Sequence, residues 1–158
     1  MLAVGTLAPD FEAIDSRGQP FRLSSLRGQK VVLYFFPKAF TGGCTLETRQ
    51  FAQLAPALSE QGVQVIGVSV DDAGTQHRFA DHCGASFPIV SDSTKAIARS
   101  YGVLSFLGFS KRVTYFLDEA GTVQEAVAGM LPGPHVARTK ARFLAASRSP
   151  VSRPEGGS

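Results

Sequence analysis

Apolar and polar positions repeat along this chain with two different periods, and the changes between them predict its elements. Val31–Phe36 is a run of six β-branched, aromatic or leucine residues, which predicts a buried strand. Pro37 ends that strand, because proline has no N–H to donate to a sheet. A short loop follows, and apolar residues then recur at helical spacing over Phe51–Leu58. The pattern therefore predicts a strand, a loop and a helix that opens at Cys44.

The remaining patterns predict further strands and helices. Polar and apolar residues alternate on both sides of Asp15–Gly18, which predicts an N-terminal β-hairpin. The other predicted elements are, in order, a strand Val63–Val70, a helix Thr75–Cys83, an edge strand Phe87–Val90, a helix capped by Ser93, a hairpin of Arg112–Leu117 and Thr122–Ala128, and a last helix that begins at Pro134.

Two helices carry finer predictions. Pro56 lies inside the helical pattern that follows Cys44, and we expect the helix to bend near Ala55. On the last helix the predicted inner face is made of small, apolar and long side chains. Its members are Val136, Ala137, Lys140, Ala141, Phe143 and Leu144. The early crossovers require parallel strands and the late hairpin antiparallel ones, so the sequence predicts an α/β fold with a mixed sheet.

Composition adds limits to this picture. The 158 residues suffice for one domain, which we expect to span residues 1–146, with a polar, disordered tail over 147–158. The net charge is +3 and no nucleic-acid reading motif is present, so nucleic-acid binding is not expected. No apolar run approaches the ~20 residues of a membrane span, and no signal-peptide pattern is present. Two cysteines in this context predict a reducing, cytoplasmic location and redox use.

Cys44 is the strongest candidate for chemistry. A thiol in the first turn of a helix faces unpaired N–H groups and the positive end of the helix dipole, which favour thiolate. Thr41 can place a hydroxyl beside the sulfur, and Gly42 and Gly43 allow a small ligand to approach the backbone closely. The alternative, a small buried hydrophobic residue, is common for free cysteine. The setting at a strand–loop–helix junction favours the reactive interpretation.

These residues also resemble a known family. The spacing Pro37-x-x-x-Thr41-x-x-Cys44 matches the peroxiredoxin signature, and Tyr34–Lys38 with Cys44–Glu47 resembles its peroxiredoxin Q (bacterioferritin comigratory protein) branch. The likeness runs from about Gly5 to Leu144. It implies a thioredoxin-like fold with an N-terminal extension, and a thiol-dependent peroxidase that reduces hydrogen peroxide and alkyl hydroperoxides.

The resemblance also implies roles for individual residues. Cys44 would be the peroxidatic nucleophile, Thr41 would orient the peroxide, and Pro37 would shield the sulfur. Arg112 opens a strand that resembles the arginine-bearing strand of the family, where a guanidinium would stabilise thiolate and peroxide together. Glu47 lies one helical turn after Cys44, and it is equally consistent with a solvated charge and with an anchor for an arginine.

A second thiol would complete the reaction cycle. Many members of this branch carry it five residues after the first, but here that position is Arg49. Cys83 is the only other thiol in the chain, so the resemblance favours it as the resolving cysteine, about one turn later than in relatives that use this helix. A role in the core, on the same face as Phe79, stays open. Gly42 replaces the proline usual in relatives, which is expected to loosen the loop.

The predicted partners follow from this chemistry. We expect a peroxide substrate, thioredoxin or a similar dithiol as reductant, and a monomer. No cofactor or metal is expected, because His77 and His82 are five residues apart and no Cys-x-x-Cys is present. Two alternatives remain: a one-cysteine peroxidase resolved by an external thiol, and a redox-sensing module that uses the apolar connector Val103–Phe109 as a contact patch.

Overall fold

The computed structural model describes residues 1–145 of the chain, so the expected tail over 147–158 lies outside the described residues. Seven strands form: β1 (Glu12–Ile14), β2 (Pro20–Arg22), β3 (Lys30–Phe35), β4 (Val63–Ser69), β5 (Ile89–Ser91), β6 (Val113–Leu117) and β7 (Val123–Ala128). The α-helices are α1 (Gly42–Glu60), α2 (Ala73–Cys83), α3 (Ala96–Ser100) and α4 (Pro132–Lys140), which continues as a π-helical turn over Ala141–Ala145.

The strands confirm the predicted mixed sheet. Its order is β5-β4-β3-β6-β7, in which β5, β4 and β3 run parallel while β6 and β7 are antiparallel to their neighbours. β1 and β2 form the separate N-terminal hairpin. No helix within residues 1–145 is long and apolar enough to cross a bilayer.

The two faces of β3 explain its continuous apolar sequence. Alternate side chains point to opposite faces of a strand, so both faces of this central strand are buried. Val31, Leu33 and Phe35 pack with α3 and the N-terminal hairpin. Val32 and Tyr34 pack on the other side with α1, α2 and α4. The helices therefore cover both faces of the sheet.

Several helix boundaries differ from those predicted. α1 begins at Gly42, two residues before Cys44, and runs through Pro56 without interruption. α3 is not capped by Ser93; the buried carboxylate of Asp92 instead accepts hydrogen bonds from the backbone N–H groups of Ile97 (3.0 Å) and Ala98 (2.7 Å). A carboxylate makes stronger hydrogen bonds than a hydroxyl, and Asp92 is placed by the strand before it.

The last helix differs in both start and face. α4 begins at Pro132 rather than at Pro134. Its buried residues are His135, Val136 and Thr139, whereas Ala137 and Lys140 are exposed. The inner face was wrong for these last two because buried polar groups occupy it: His135 and Thr139 are held by hydrogen bonds that a search for apolar spacing does not detect.

Candidate active site

Cys44 lies in the first turn of α1, at the end of the sheet where β3 ends. Its side chain is 0 % exposed and packs with residues of β3 and α1. The helix starts after Thr41, whose extended backbone (φ −84°, ψ 155°) is typical of the residue before a helix. The first N–H groups of a helix have no partner within it, and Cys44 is the third residue of α1. This placement agrees with the predicted junction.

Arg112 reaches Cys44 because of the sheet register. β6 is antiparallel to β3, and Val113, the first residue of β6, pairs with Phe35, the last residue of β3. Arg112 directly precedes Val113 and therefore lies at the C-terminal end of β3, where the chain continues towards Cys44. The Arg112 side chain is buried, and its Nη2 donates a hydrogen bond to Cys44 Sγ at 3.4 Å. The two residues lie 68 positions apart in the chain. The sheet therefore brings a guanidinium and a thiol together away from solvent.

Glu47 completes this cluster and resolves the choice that the sequence left open. Its carboxylate is buried, and Arg112 Nη1 donates to Glu47 Oε1 at 2.5 Å. Burial raises the pKa of Glu47 to about 7, against the opposing effect of Arg112. Burial alone would lower the pKa of Arg112, but Glu47 and Cys44 outweigh it and raise that pKa. Glu47 is therefore an anchor for the arginine and not a solvated charge.

One further hydrogen bond and one close approach to the backbone position the guanidinium. Arg112 Nε donates to the carbonyl oxygen of Met130 at 2.7 Å, in the loop between β7 and α4. On the other side lies Gly43, where a Cβ atom would be 3.0 Å from Arg112 Nη2. A side chain at Gly43 would push against the group that contacts the sulfur. The glycine directly before Cys44 thus makes room for the arginine, a role that sequence reasoning did not assign to it.

His135 is a buried residue that the sequence analysis missed. Its Nδ1 lies 2.8 Å from Thr114 Oγ1 and its Nε2 lies 2.9 Å from the carbonyl oxygen of Gly129. Gly129 precedes Met130, so His135 holds the loop segment that in turn holds Arg112. Burial, together with the charge of Arg112, lowers the pKa of His135 despite the hydrogen bond to Gly129. Its sequence signal, a histidine at a Pro-rich helix start, resembles that of a surface residue.

We expect a His135→Gln substitution to flatten the acid side of the stability curve. An unfolded histidine protonates near pH 6.5, whereas folded His135 stays neutral to lower pH. The unfolded state therefore binds more protons below about pH 6.5. As the pH is lowered, the free energy of unfolding decreases by up to about 1.4 kcal/mol per pH unit. Denaturant titrations of both proteins between pH 7 and pH 5 would measure the difference.

Wild type and His135→Gln must be compared with each other, because Glu47 changes the pH dependence of the free energy of unfolding in the opposite direction to His135. Its raised pKa makes the folded chain bind more protons than the unfolded chain between about pH 7 and its ordinary value of 4.5. The exposed His77 provides the control, since His77→Gln removes a histidine without removing a buried one. Equal pH slopes for wild type and His135→Gln would contradict the prediction.

The loop before Cys44 is attached to α2. Pro37 is buried two residues after the end of β3, and the backbone N–H of Ala39 donates to Asp71 Oδ2 at 2.8 Å, just before α2. Phe40 has a left-handed backbone (φ 66°), rare for an aromatic residue, and its ring packs on Phe79 and His82 of α2. The loop that leads to Cys44 therefore packs directly against α2, the helix that carries Cys83.

Thr41 is exposed and directly precedes α1. Its hydroxyl donates to the carbonyl oxygen of Lys38 at 2.7 Å. The backbone N–H of Thr45 bonds back to the Thr41 carbonyl at 2.8 Å, so Thr41 also closes the first turn of α1. The hydroxyl oxygen keeps lone pairs that can accept a hydrogen bond from a ligand.

Cys83 lies at the C-terminal end of α2 and faces α1. It is a buried free thiol, as is Cys44, and its Sγ donates weakly to the carbonyl oxygen of Thr45 at 4.0 Å. Thr45 is the residue directly after Cys44. Burial raises the pKa of Cys83, although Arg49 opposes that effect. The fold therefore places the second thiol against the turn that carries the first.

The two candidate histidines lie elsewhere. His77 Nδ1 is 3.0 Å from the carbonyl oxygen of Ser16, and His82 Nε2 is 3.2 Å from Arg49 Nη2. Within residues 1–145 no three His, Cys, Asp or Glu side chains gather into a potential metal site. The apolar connector is divided: Val103 is buried, whereas Phe106 is 97 % exposed and Leu107 is exposed.

The chain is similar to known proteins both in sequence and in fold. Residues 4–126 match the model of the AhpC/TSA family. Peroxiredoxin Bcp of Escherichia coli K12 is 32 % identical over 130 residues, which cover 78 % of this chain and 83 % of that protein. The crystal structure of peroxidoxin BcpB from Mycobacterium tuberculosis superposes with a TM-score of 0.82 at 32 % identity and covers 89 % of this chain and 96 % of that one. For peroxiredoxin Q from Xylella fastidiosa the TM-score is 0.81 at 25 % identity, over 90 % and 98 % of the two chains.

Proposed function

The chain belongs to the AhpC/TSA family, among its peroxiredoxin Q and Bcp members, and is a thiol-dependent peroxidase, from which we propose that Cys44 is its peroxidatic cysteine. One observation carries this assignment. Cys44 is the thiol that a buried arginine contacts, and that arginine is held in turn by a buried carboxylate. A guanidinium beside a sulfur favours the thiolate, which is the form that attacks peroxide.

The first step is an attack of the Cys44 thiolate on the terminal oxygen of the peroxide. A sulfur–oxygen bond forms and the O–O bond breaks. Cys44 becomes a sulfenic acid, and the other oxygen of the peroxide leaves as an alkoxide or hydroxide. That oxygen takes up a proton to give an alcohol or water. Arg112 lies where it can stabilise both the thiolate and the negative charge that develops on the leaving oxygen.

The residues around the sulfur have separate roles in the proposal. The Thr41 hydroxyl and the free N–H groups of the first turn of α1 orient the peroxide. Pro37 excludes bulk water from the sulfur, and Glu47 positions Arg112. The substrates are hydrogen peroxide and alkyl hydroperoxides.

The second step joins the two thiols. Cys83 thiolate attacks the sulfenic acid of Cys44, a disulfide forms, and hydroxide leaves and is protonated to water. The weak contact of Cys83 Sγ with the Thr45 carbonyl supports Cys83 as the resolving thiol. We expect the first turn of α1 or the end of α2 to unwind locally in this step, because both thiols are buried within helical turns and a disulfide holds its Cα atoms less than about 7 Å apart.

The cycle closes when an external dithiol reduces the disulfide. The dithiol is oxidised to its own disulfide, and both cysteines return as thiols. We assign this step to thioredoxin or a similar protein, in a reducing cytoplasm, with one domain over residues 1–146 acting as a monomer. A redox-sensing module is the second candidate, and the exposed Phe106 and Leu107 favour a contact patch.

The test is turnover in a defined system. Wild-type protein with thioredoxin, thioredoxin reductase and NADPH is expected to consume many equivalents of peroxide, while Cys44→Ser consumes none above the background. Oxidation of Cys44 no faster than that of free cysteine would reject the peroxidase and favour the sensor. Replacing Cys83 separates the two-cysteine and one-cysteine cycles.

A further inference from the structure

The end of α2 is an unfavourable place for a thiolate. Cys83 is the last residue of the helix, where unpaired carbonyl groups carry negative partial charge. The side chain is also buried, and burial disfavours the charged sulfur. A resolving cysteine must nevertheless attack as thiolate, because the neutral thiol is a poor nucleophile. Some neighbouring group has to offset both effects.

Arg49 lies at this position. It is on the same face of α1 as Thr45, one turn later, and so faces the end of α2. Its Nη2 is 3.2 Å from His82 Nε2 and 3.5 Å from the carbonyl oxygen of His82, the residue before Cys83. The guanidinium therefore binds one of the free carbonyl groups that would repel a thiolate.

Two other groups near Cys83, the Thr45 carbonyl from α1 and the Tyr34 phenol from β3, carry no positive charge. On α2 itself, His82 Nε2 lies 3.2 Å from Arg49 Nη2, where a neutral imidazole can accept a hydrogen bond from the guanidinium. Within residues 1–145 no carboxylate forms an ion pair with Arg49, so its charge is not neutralised locally. Burial raises the pKa of Cys83, and the charge of Arg49 opposes that effect.

We propose that Arg49 activates Cys83 for the resolving step by stabilising its thiolate at the C-terminal end of α2. The inference rests on the proposed function, in which Cys83 attacks the sulfenic acid of Cys44. The chain would then use two arginines, one for each sulfur. Arg112 serves Cys44 from the sheet, and Arg49 serves Cys83 from the surface of α1.

The first experiment measures Cys83 alone. In a Cys44→Ser background, the rate of alkylation by iodoacetamide is followed against pH, and the midpoint reports the ionisation of Cys83. We expect Arg49→Met to raise the midpoint by about one pH unit, which lowers the thiolate fraction at pH 7 about tenfold. Arg49→Lys should raise the midpoint less than Arg49→Met does, because lysine keeps the charge but lacks the forked geometry. Cys44→Ala provides a second background if Cys44→Ser does not fold.

Arg78→Met is the matched control. Arg78 is an exposed arginine on α2, and its Nη2 donates to Thr75 Oγ1 in the first turn of that helix. Its removal changes the net charge by the same amount and should leave the midpoint in place. If Arg49 only clamps the end of α2, its loss would change the alkylation rate at every pH without moving the midpoint. An unmoved midpoint therefore overturns the proposal.

The second experiment separates the inference from the proposed function. With Cys44 present, disulfide formation after one equivalent of peroxide is followed by quenched-flow mass spectrometry at pH 7. A rate of disulfide formation about tenfold lower in Arg49→Met than in Arg78→Met supports the proposal. Disulfide formation at equal rates overturns the role of Arg49 alone. Absence of the disulfide in wild type overturns the role of Cys83, and the role of Arg49 in resolution with it.

Discussion

In an Arg112→Met protein, hydrogen peroxide is expected to oxidise Cys44 at least about a hundredfold more slowly than in wild type. Loss of one charge-stabilising donor in an active site costs about 10²–10³ in rate. Arg112 donates to Cys44 Sγ and lies where charge develops on the departing oxygen. Methionine keeps an unbranched stem but has no charge and no hydrogen-bond donor. The measurement is single-turnover oxidation by hydrogen peroxide, quenched with an alkylating reagent and read by mass spectrometry.

The same substitution leaves Glu47 buried without its partner, and removal of one member of a buried pair costs about 3–5 kcal/mol. A double variant, Arg112→Met with Glu47→Gln, removes the unpaired charge and keeps the experiment interpretable if the single variant does not fold. Arg138→Met is the control, because Arg138 is an exposed arginine that pairs with Glu125. A double variant that reacts within about threefold of wild type would contradict the assignment of Arg112.

Replacing Cys83 with serine is expected to stop turnover after one equivalent of peroxide when thioredoxin is the only reductant. The first step needs only Cys44, so oxidation to the sulfenic acid proceeds. The second step then has no thiol, and the sulfenic acid persists or is oxidised further. Serine is nearly isosteric with cysteine, and the buried site loses one weak contact with the Thr45 carbonyl. Steady-state peroxide consumption with thioredoxin, thioredoxin reductase and NADPH measures the loss.

Cys44→Ser is the companion variant, which should not react at all. Sustained turnover of Cys83→Ser with thioredoxin would show that an external thiol resolves Cys44, and the one-cysteine cycle would then replace the two-cysteine one. Addition of a small thiol such as dithiothreitol to a stalled Cys83→Ser protein should restore turnover, because a small thiol can condense with the sulfenic acid in place of Cys83.

The sheet and the position of Cys44 could be predicted because local sequence determines them. A continuous apolar run, a strand-ending proline and helical spacing after Cys44 all depend on neighbouring residues. Arg112 was predicted through the resemblance, and the antiparallel register of β6 against β3 explains its place. Glu47 could not be decided, since its partner is 65 residues away and a glutamate on a helix is usually solvated.

What the sequence did not predict depends on backbone groups and on pairs of distant polar residues. The Met130 carbonyl that holds Arg112 has no side-chain signal, and His135 is buried only because Thr114 and Gly129 lie in reach of its two nitrogens. The same polar contacts turned the inner face of α4 away from Lys140. Arg49 has the appearance of an ordinary exposed helix residue until the packing of α1 against α2 places it beside the end of α2.

The central claim is that Cys44 is oxidised first and that Cys83 then bonds to it. Peptide mapping by mass spectrometry, after reduced wild-type protein receives one equivalent of hydrogen peroxide without reductant, tests this most directly. The account predicts one intramolecular disulfide between the peptides that contain Cys44 and Cys83. A chain in which Cys44 stays a thiol, or in which it stays a sulfenic acid beside a free Cys83, would contradict it.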